Sequence, residues 1–572
     1  MKLVSRLLGR SLRQVGSDRT KTRNACWPGS EALEPRRLFT ISVTPIPSAT
    51  IPQGSAAQSL DLNNVFADNT TGAADLTYSA KSDNTTLIQT GINDNILTVT
   101  VAPNSSGFAH VTVGANAPDQ STSFQTFRID VTPSADRTLE VPLGPGRRSF
   151  RFVQSDHTVG TINLSGPGTG TIILGGDNLA LIGNHARGAN QEVESITLTG
   201  TTAATQLFIN GVGAKRGTVF AGVGNITSDG SIGFIRMRKV VLLGDMNIAG
   251  GTRTVNMDAA RNGTIQFGQS IARVNLTALS FTDENFSTPA PISTVRTLGW
   301  VNSDVVPESF QAASITSIRA SGSFQPGVQL TGAGVARGRD LGSIRVPGFI
   351  GGTWSIPGAS APLVVGGTDF LFDGTFGSLP YVQTNGTFAG RLTVPSLAHV
   401  RVRGNMESAV LNLTGTGNDL GQLFVRGAIL NSAIVSAGNL GPISAEALQQ
   451  SIVYAGVGQL AQGESLPTSA SELSGSATIR SITLRPVGKV AGFRASDVAA
   501  ASIGILAFGT TQVDNMGTPF GVAAINIGRL TARDLTNRRF IALSNINDAT
   551  TLANQIAAQG INLQDLVIRV LS

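Results

Sequence analysis

The sequence predicts an all-β protein in which an N-terminal β-sandwich is followed by a long parallel β-helix, a β-solenoid. Three observations lead there. Charged residues make up only 14% of the 572, against about 25% in an average globular chain. Glycine, with 67 residues, is well above its usual share of ~7%. A short apolar motif also recurs at near-regular intervals through most of the chain after residue 200. Low charge with abundant glycine favours turns and stacked strands over solvated helices. The 41% of hydrophobic residues is enough to bury a core, which excludes global disorder.

Residues 1–40 read as a basic leader. The net charge of +6 would suggest nucleic-acid binding, but nine of the basic residues and only three acidic ones lie in this segment, an excess equal to the whole net charge. From residue 41 onward, 33 basic residues face 33 acidic ones. The body therefore has no global field to attract phosphate, and no nucleic-acid partner is expected. The leader lacks the apolar run and small-residue cleavage site of a standard secretory signal. No apolar run approaches the ~18 residues a membrane span needs, so no transmembrane segment is expected, and the final residues VIRVLS carry no sorting motif. The single cysteine, Cys26, lies in the leader, so no disulfide is expected in the body.

Leu33, Glu34, Pro35, Arg36, Arg37, Leu38 and Phe39 together resemble the LEPR-XLL motif that opens many bacterial secreted or surface proteins, with Phe39 standing where the family usually has Leu. The resemblance implies that residues 1–40 are a basic export leader with this export motif, and a secreted or cell-surface location in a bacterium.

Residues 41–133 show short alternating strands, among them DLTYSA, NILTVTV, HVTVGA and FQTFRIDV, separated by Asn, Asp, Gly and Pro clusters. This is the spacing of a sandwich of about seven strands. From LDLNNVFADNTTGAADLTYSA to FQTFRIDV, nearly the whole domain resembles the cadherin-like or immunoglobulin-like modules of bacterial surface proteins. Such modules often hold calcium at their ends. Asp68 occupies the usual acidic place after Phe66, but Ala115–Ala117 stands where the family commonly has an Asp. Calcium is thus the one cofactor the resemblance raises, and no other is expected.

Residues 134–153 are expected to link to, and cap, a β-helix over 154–545. The motif Φ-x-x-Φ-x-Φ-x-G, with Φ apolar, is strongest at Leu341, Leu397 and Leu420, and weaker copies begin at Ile232, Ile271, Ile292, Ile315, Phe376, Leu440, Ile479, Ile503 and Ile527. Successive steps of 21, 23 and 26, then 21, 23 and 20, are too short for helical-pair repeats and fit one coil of a solenoid. Alternating Φ positions put apolar side chains on one strand face. One coil cannot bury that face, but stacked coils close a continuous core and leave edges only at the two ends. About 16 coils at ~4.8 Å each would make a rod near 80 Å long. The final Gly of each motif is expected to supply the positive φ for the turn. Residues 546–572 are expected to form the C-terminal cap, with an amphipathic helix at Ala549–Gly560.

His110, His157, His185 and His399 are isolated and one cysteine exists, so zinc is not expected. No phosphate loop or nucleophile elbow is present. The residues following the second Φ include Arg236, Arg296, Arg319, Arg345 and Arg401. In register these would form an outward ladder, with the middle three on consecutive coils about 5 Å apart. Such a stack repels itself unless it pairs with acids or meets an anionic polymer. An ordinary solvated face with local ion pairs is the competing reading. Catalysis by a β-helix polysaccharide lyase or glycoside hydrolase needs clustered carboxylates. Asp340, Asp369 and Asp373 come nearest to one, but Asp369 and Asp373 would lie about 13 Å apart along a strand. The expected function is therefore a non-catalytic structural or adhesive protein that binds glycan or another envelope component. The alternative is an enzyme acting on an acidic glycan. The sequence carries no signal for oligomeric state.

Overall fold

The computed structural model describes residues 41–68, 76–102, 107–118, 122–132, 138–154, 157–212, 221–269, 271–303, 307–332, 338–366, 369–474, 476–488 and 490–572. The basic leader and its heptad lie outside the described residues.

Alternating polar and apolar residues among the described positions of 41–132 build small sheets. One has four strands (Ala49–Pro52, Thr122–Thr132, Gly107–Asn116 and Thr77–Ser82, in spatial order) and one has three (Gln58–Asp61, Ile96–Val101 and Ile88–Asn93). Ile51, Val111, Val113, Phe127 and Ile129 from the first meet Ile88, Leu97 and Val99 from the second in one buried cluster. The opposite face of the four-stranded sheet presents Ser79, Lys81, Thr112 and Phe124.

From Thr138 to Val570 the chain forms one continuous sheet of 39 strands among the described residues. Most pairings between successive coils are parallel, so like positions stack. Ile226, Met246, Ile265, Phe286, Phe310, Val328 and Trp354 form one inward column. All are buried in the long core cluster. Antiparallel pairs mark the two ends: Thr138–Leu143 against Thr169–Ile182, and Phe520–Asp534 against Phe540–Ile546. Beyond the second lie helix Ala549–Gln559 and strand Leu566–Val570. The Asp548 carboxylate accepts the Thr551 N–H at 2.7 Å to start the helix, and Gly560 ends it in the left-handed conformation, φ 57°. These are the ordinary polar start and glycine stop of a helix.

The motif copies stack as their spacing implied: Ile292 faces Ile315, which faces Leu341, and Leu420, Leu440, Ile479, Ile503 and Ile527 form a continuous column. Several details differ from the sequence reading. The copy placed at Ile271 begins instead at Val274, which faces Ile292, with Leu276 facing Val295. A coil at Thr252 and another at Ser360 were hidden, because a hydroxyl residue fills the first apolar slot; Thr252 faces Ile232, and Ser360 bridges to Leu341. The copy placed at Phe376 begins instead at Leu379, since Val382 faces Val400 three residues after Leu379 and Leu397. By contrast, the wide step from Leu440 to Ile479 is a single coil with an inserted loop, because those two residues are direct partners.

The motif glycines serve a different purpose from the one expected. Gly348, Gly404 and Gly427 are not in the positive-φ region. A Cβ on them would instead lie 2.5 Å from the Gly322 carbonyl carbon, 2.7 Å from that of Gly386 and 2.1 Å from Asn405 Oδ1. Glycine is needed here for close approach between coils, not for a left-handed turn.

Glu284 and Glu308 are among the carboxyl groups buried in this stack. Each lies two residues before partners that face each other on adjacent coils, Phe286 and Phe310, and they are 0% and 4% exposed. One Glu284 oxygen accepts the Gly263 N–H at 3.3 Å, while the other has no hydrogen-bond partner among the described residues. Burial first, then the nearby carboxylates of Asp245, Glu308 and Asp283, push the Glu284 carboxyl well above its ordinary value. A group whose pKa is raised on folding binds its proton more tightly in the folded chain. Its favourable contribution is complete below the unfolded value near 4.5 and is lost as pH rises through the folded one. Glu284→Gln keeps an oxygen for Gly263 and removes the charge. It is expected to raise the thermal midpoint at pH 8, by about 1–3 kcal/mol of stability, and to give no gain at pH 4. A gain of equal size at both pH values would contradict this account.

Candidate functional site

The parallel register decides where the arginines stand. Arg236 faces Asn256, then Thr277, Arg296, Arg319 and Arg345 on successive coils. The bridge between Val346 and Val365 carries the column to Val364, and pairing continues through Gln383 to Arg401 and Phe424. All five arginines are thus in one column, and all five are exposed. They point outward because the residues on either side, such as Ile235 and Met237 or Ile318 and Ala320, point into the core, and side chains alternate along a strand.

No carboxylate pairs with any of the five among the described residues. Arg401 lies over the Phe424 ring, 5.8 Å from its centroid. In the outward position two residues earlier, Tyr381 and His399 stack with centroids 4.3 Å apart and rings 15° from parallel. Three neighbouring cations at coil spacing repel by on the order of 1 kcal/mol per adjacent pair, even at the dielectric of water. The column has the makings of a surface for a linear anion: regularly spaced planar guanidinium forks with aromatic faces at one end.

Two further arginines belong beside the column and were not singled out from the sequence. Val402 faces Val425 on the next coil, which places Arg403 and Arg426 one above the other, both exposed. The signal was in the motif itself, where each is the residue before the final glycine of HVRVRG and LFVRG.

The acidic residues weighed for catalysis are not gathered. Asp340 is 4% exposed, with its carboxylate beneath Gly358. Asp373 is exposed and faces Arg391 across the coils. The side chain of Asp369 lies outside the described residues. Among the described residues no group of three His, Cys, Asp or Glu could hold a metal ion. Asp68 is in strand Phe66–Asp68, against Ile41. The heptad Leu33–Phe39 lies outside the described residues.

The small sheets dock on the side of the solenoid through polar contacts far apart in sequence. Arg128 lies over the Phe108 ring at 4.4 Å, and its guanidinium meets Asp130 at 2.8 Å and the solenoid's Asp245 at 3.3 Å. On the neighbouring strand face, Asn262 donates to Asp83 at 2.6 Å. Near Arg128, burial and then Glu194 push the Glu192 carboxyl up to about 7.

No helix among the described residues is long and apolar enough to cross a membrane. No model of a known protein family matches the chain, and no curated protein matches its sequence.

Proposed function

We propose that this chain is a non-catalytic secreted or cell-surface protein of bacteria, a structural or adhesive rod whose arginine column binds an acidic polysaccharide or another anionic envelope polymer. The observation that carries the reading is the alignment of Arg296, Arg319 and Arg345 on consecutive coils without a carboxylate partner among the described residues. A polymer carrying regularly spaced anions would remove the mutual repulsion and gain charge-assisted, forked hydrogen bonds. In this reading the small N-terminal sheets form a cadherin-like or immunoglobulin-like module that holds the rod away from its attachment point, and Leu33–Phe39 directs export.

The test is retention of the purified protein on an immobilised acidic polysaccharide, with a salt gradient. Reversing all three charges, Arg296→Glu, Arg319→Glu and Arg345→Glu, should weaken binding by at least about tenfold and flatten its dependence on salt. Unchanged retention, or equal retention on a neutral polymer, would remove the proposal. Shortening of the polymer during the run would favour the enzymatic alternative. Cell fractionation addresses location, since recovery in the cytoplasm would contradict a surface role.

A further inference from the structure

The docking of the small sheets against the solenoid leaves an open cleft of about 750 Å³, within the size range of small-molecule sites, which often form between domains. It lies apart from the arginine column. One wall is the outward face of the four-stranded sheet, and the other is the solenoid edge at Arg261, Asn262, Thr282, Asp283 and Ser303.

The sheet wall carries an aromatic platform. Phe124 faces Gly114 across the strands and lies directly on it: a Cβ at residue 114 would sit 2.8 Å from the Phe124 ring. The glycine leaves room for the ring over the sheet, and Phe124 remains 37% exposed. Beside it, the hydroxyls of Thr112 and Thr126 touch at 2.9 Å.

The charges of the cleft divide into satisfied anions and free cations. Asp83 accepts the His110 N–H at 2.8 Å and the Asn262 amide at 2.6 Å. Asp283 accepts both the backbone N–H and the hydroxyl of Ser303. Neither Lys81 nor Arg261 has a hydrogen-bonding or ionic partner among the described residues, and both are exposed. The unused binding capacity of the cleft is therefore an exposed aromatic ring, a set of hydroxyls and two cations.

We propose that this cleft binds an acidic sugar, a pyranose ring bearing one carboxylate. The less polar face of the ring would lie on Phe124, its hydroxyls would meet Thr112 and Thr126, and its carboxylate would lie between Lys81 and Arg261. A neutral sugar would leave the cations unanswered, and a bare inorganic anion would leave the aromatic platform unused. The site goes beyond the proposed polymer-binding column and does not depend on it.

The experiment is saturation-transfer NMR and calorimetry on the full chain, with a galacturonic acid disaccharide, a galactose disaccharide and inorganic phosphate as probes. The uronic acid disaccharide should bind saturably, and the neutral disaccharide at least about tenfold more weakly. Phe124→Ala and the double change Lys81→Ala, Arg261→Ala should each weaken binding at least about tenfold, while Phe124→Tyr should retain it. Circular dichroism of each variant separates lost binding from lost folding. The protein with Arg296, Arg319 and Arg345 all changed to Glu should bind the disaccharide as the unchanged protein does. No saturable binding at millimolar ligand, equal binding of the neutral disaccharide, full competition by phosphate, or normal binding by folded Phe124→Ala would overturn the proposal. Loss of disaccharide binding in the arginine-column variant would overturn the separateness of the two sites.

Discussion

Trp300→Ala is expected to destabilise the solenoid by about 3–5 kcal/mol, the range for removing a large buried aromatic ring. Trp300 is 0% exposed. Its ring packs 4.1 Å from that of Phe281, 5.3 Å from Phe310 and 5.8 Å from Phe324. It joins residues of its own coil to those above and below. Its Nε1 also donates to the Glu284 carbonyl at 3.1 Å, so truncation removes a hydrogen bond as well as filling volume. Because each coil of a solenoid contacts only its neighbours, the loss is concentrated at one interface. Urea unfolding should accordingly start at a lower concentration and broaden or split. Trp300→Phe keeps most of the stacking and should cost much less. A loss below about 1 kcal/mol for the alanine variant would mean that the core collapses around the cavity.

Gly441→Ala is expected to cost about 3 kcal/mol by overpacking, although it adds a single methyl group. Gly441 lies over Gly421, since Leu440 and Leu420 are partners on adjacent coils. A Cβ at residue 441 would come 2.0 Å from the Gly421 carbonyl oxygen and 2.7 Å from that of Leu420. Both are backbone atoms held by the sheet, so the clash cannot be relieved by turning a side chain. The same geometry recurs at Gly342, 1.9 Å from the Thr316 oxygen, and Gly504, 2.4 Å from that of Arg480. Gly417→Ala is the control, because no atom lies within 4 Å of its Cβ position, and it should change stability by less than about 0.5 kcal/mol. Hydrogen exchange around residues 420–443 should rise in Gly441→Ala and not in Gly417→Ala. Equal effects of the two substitutions would refute the close-approach account of these glycines.

The repeat was legible because it is local chemistry. Alternation of apolar and polar residues is set by the geometry of a single strand, and its return every twenty-odd residues marks a coil. The same alternation turned Arg236, Arg296, Arg319, Arg345 and Arg401 outward in one column, and the capping helix followed from its own polar start and glycine stop. Where the local signal lapsed, so did the reading. Thr252 and Ser360 stand in buried slots where an apolar residue was expected, and the coils they open went unnoticed.

What tertiary structure alone decided depends on atoms brought together across coils or across modules. The glycines of the motif look like turn residues in sequence, and only the carbonyl of the coil beneath shows that they answer a lack of space. Glu284 and Glu308 are ordinary acids until stacking removes both from water. The pairing of Arg128 with Asp245 and of Asp83 with Asn262 spans more than one hundred residues, so no local pattern could announce it. A strand carries its own periodicity in its backbone geometry, whereas a cleft between two modules exists only after both have folded and met. That is why the rod and its arginine column could be read from the chain, and the cleft beside Phe124 could not.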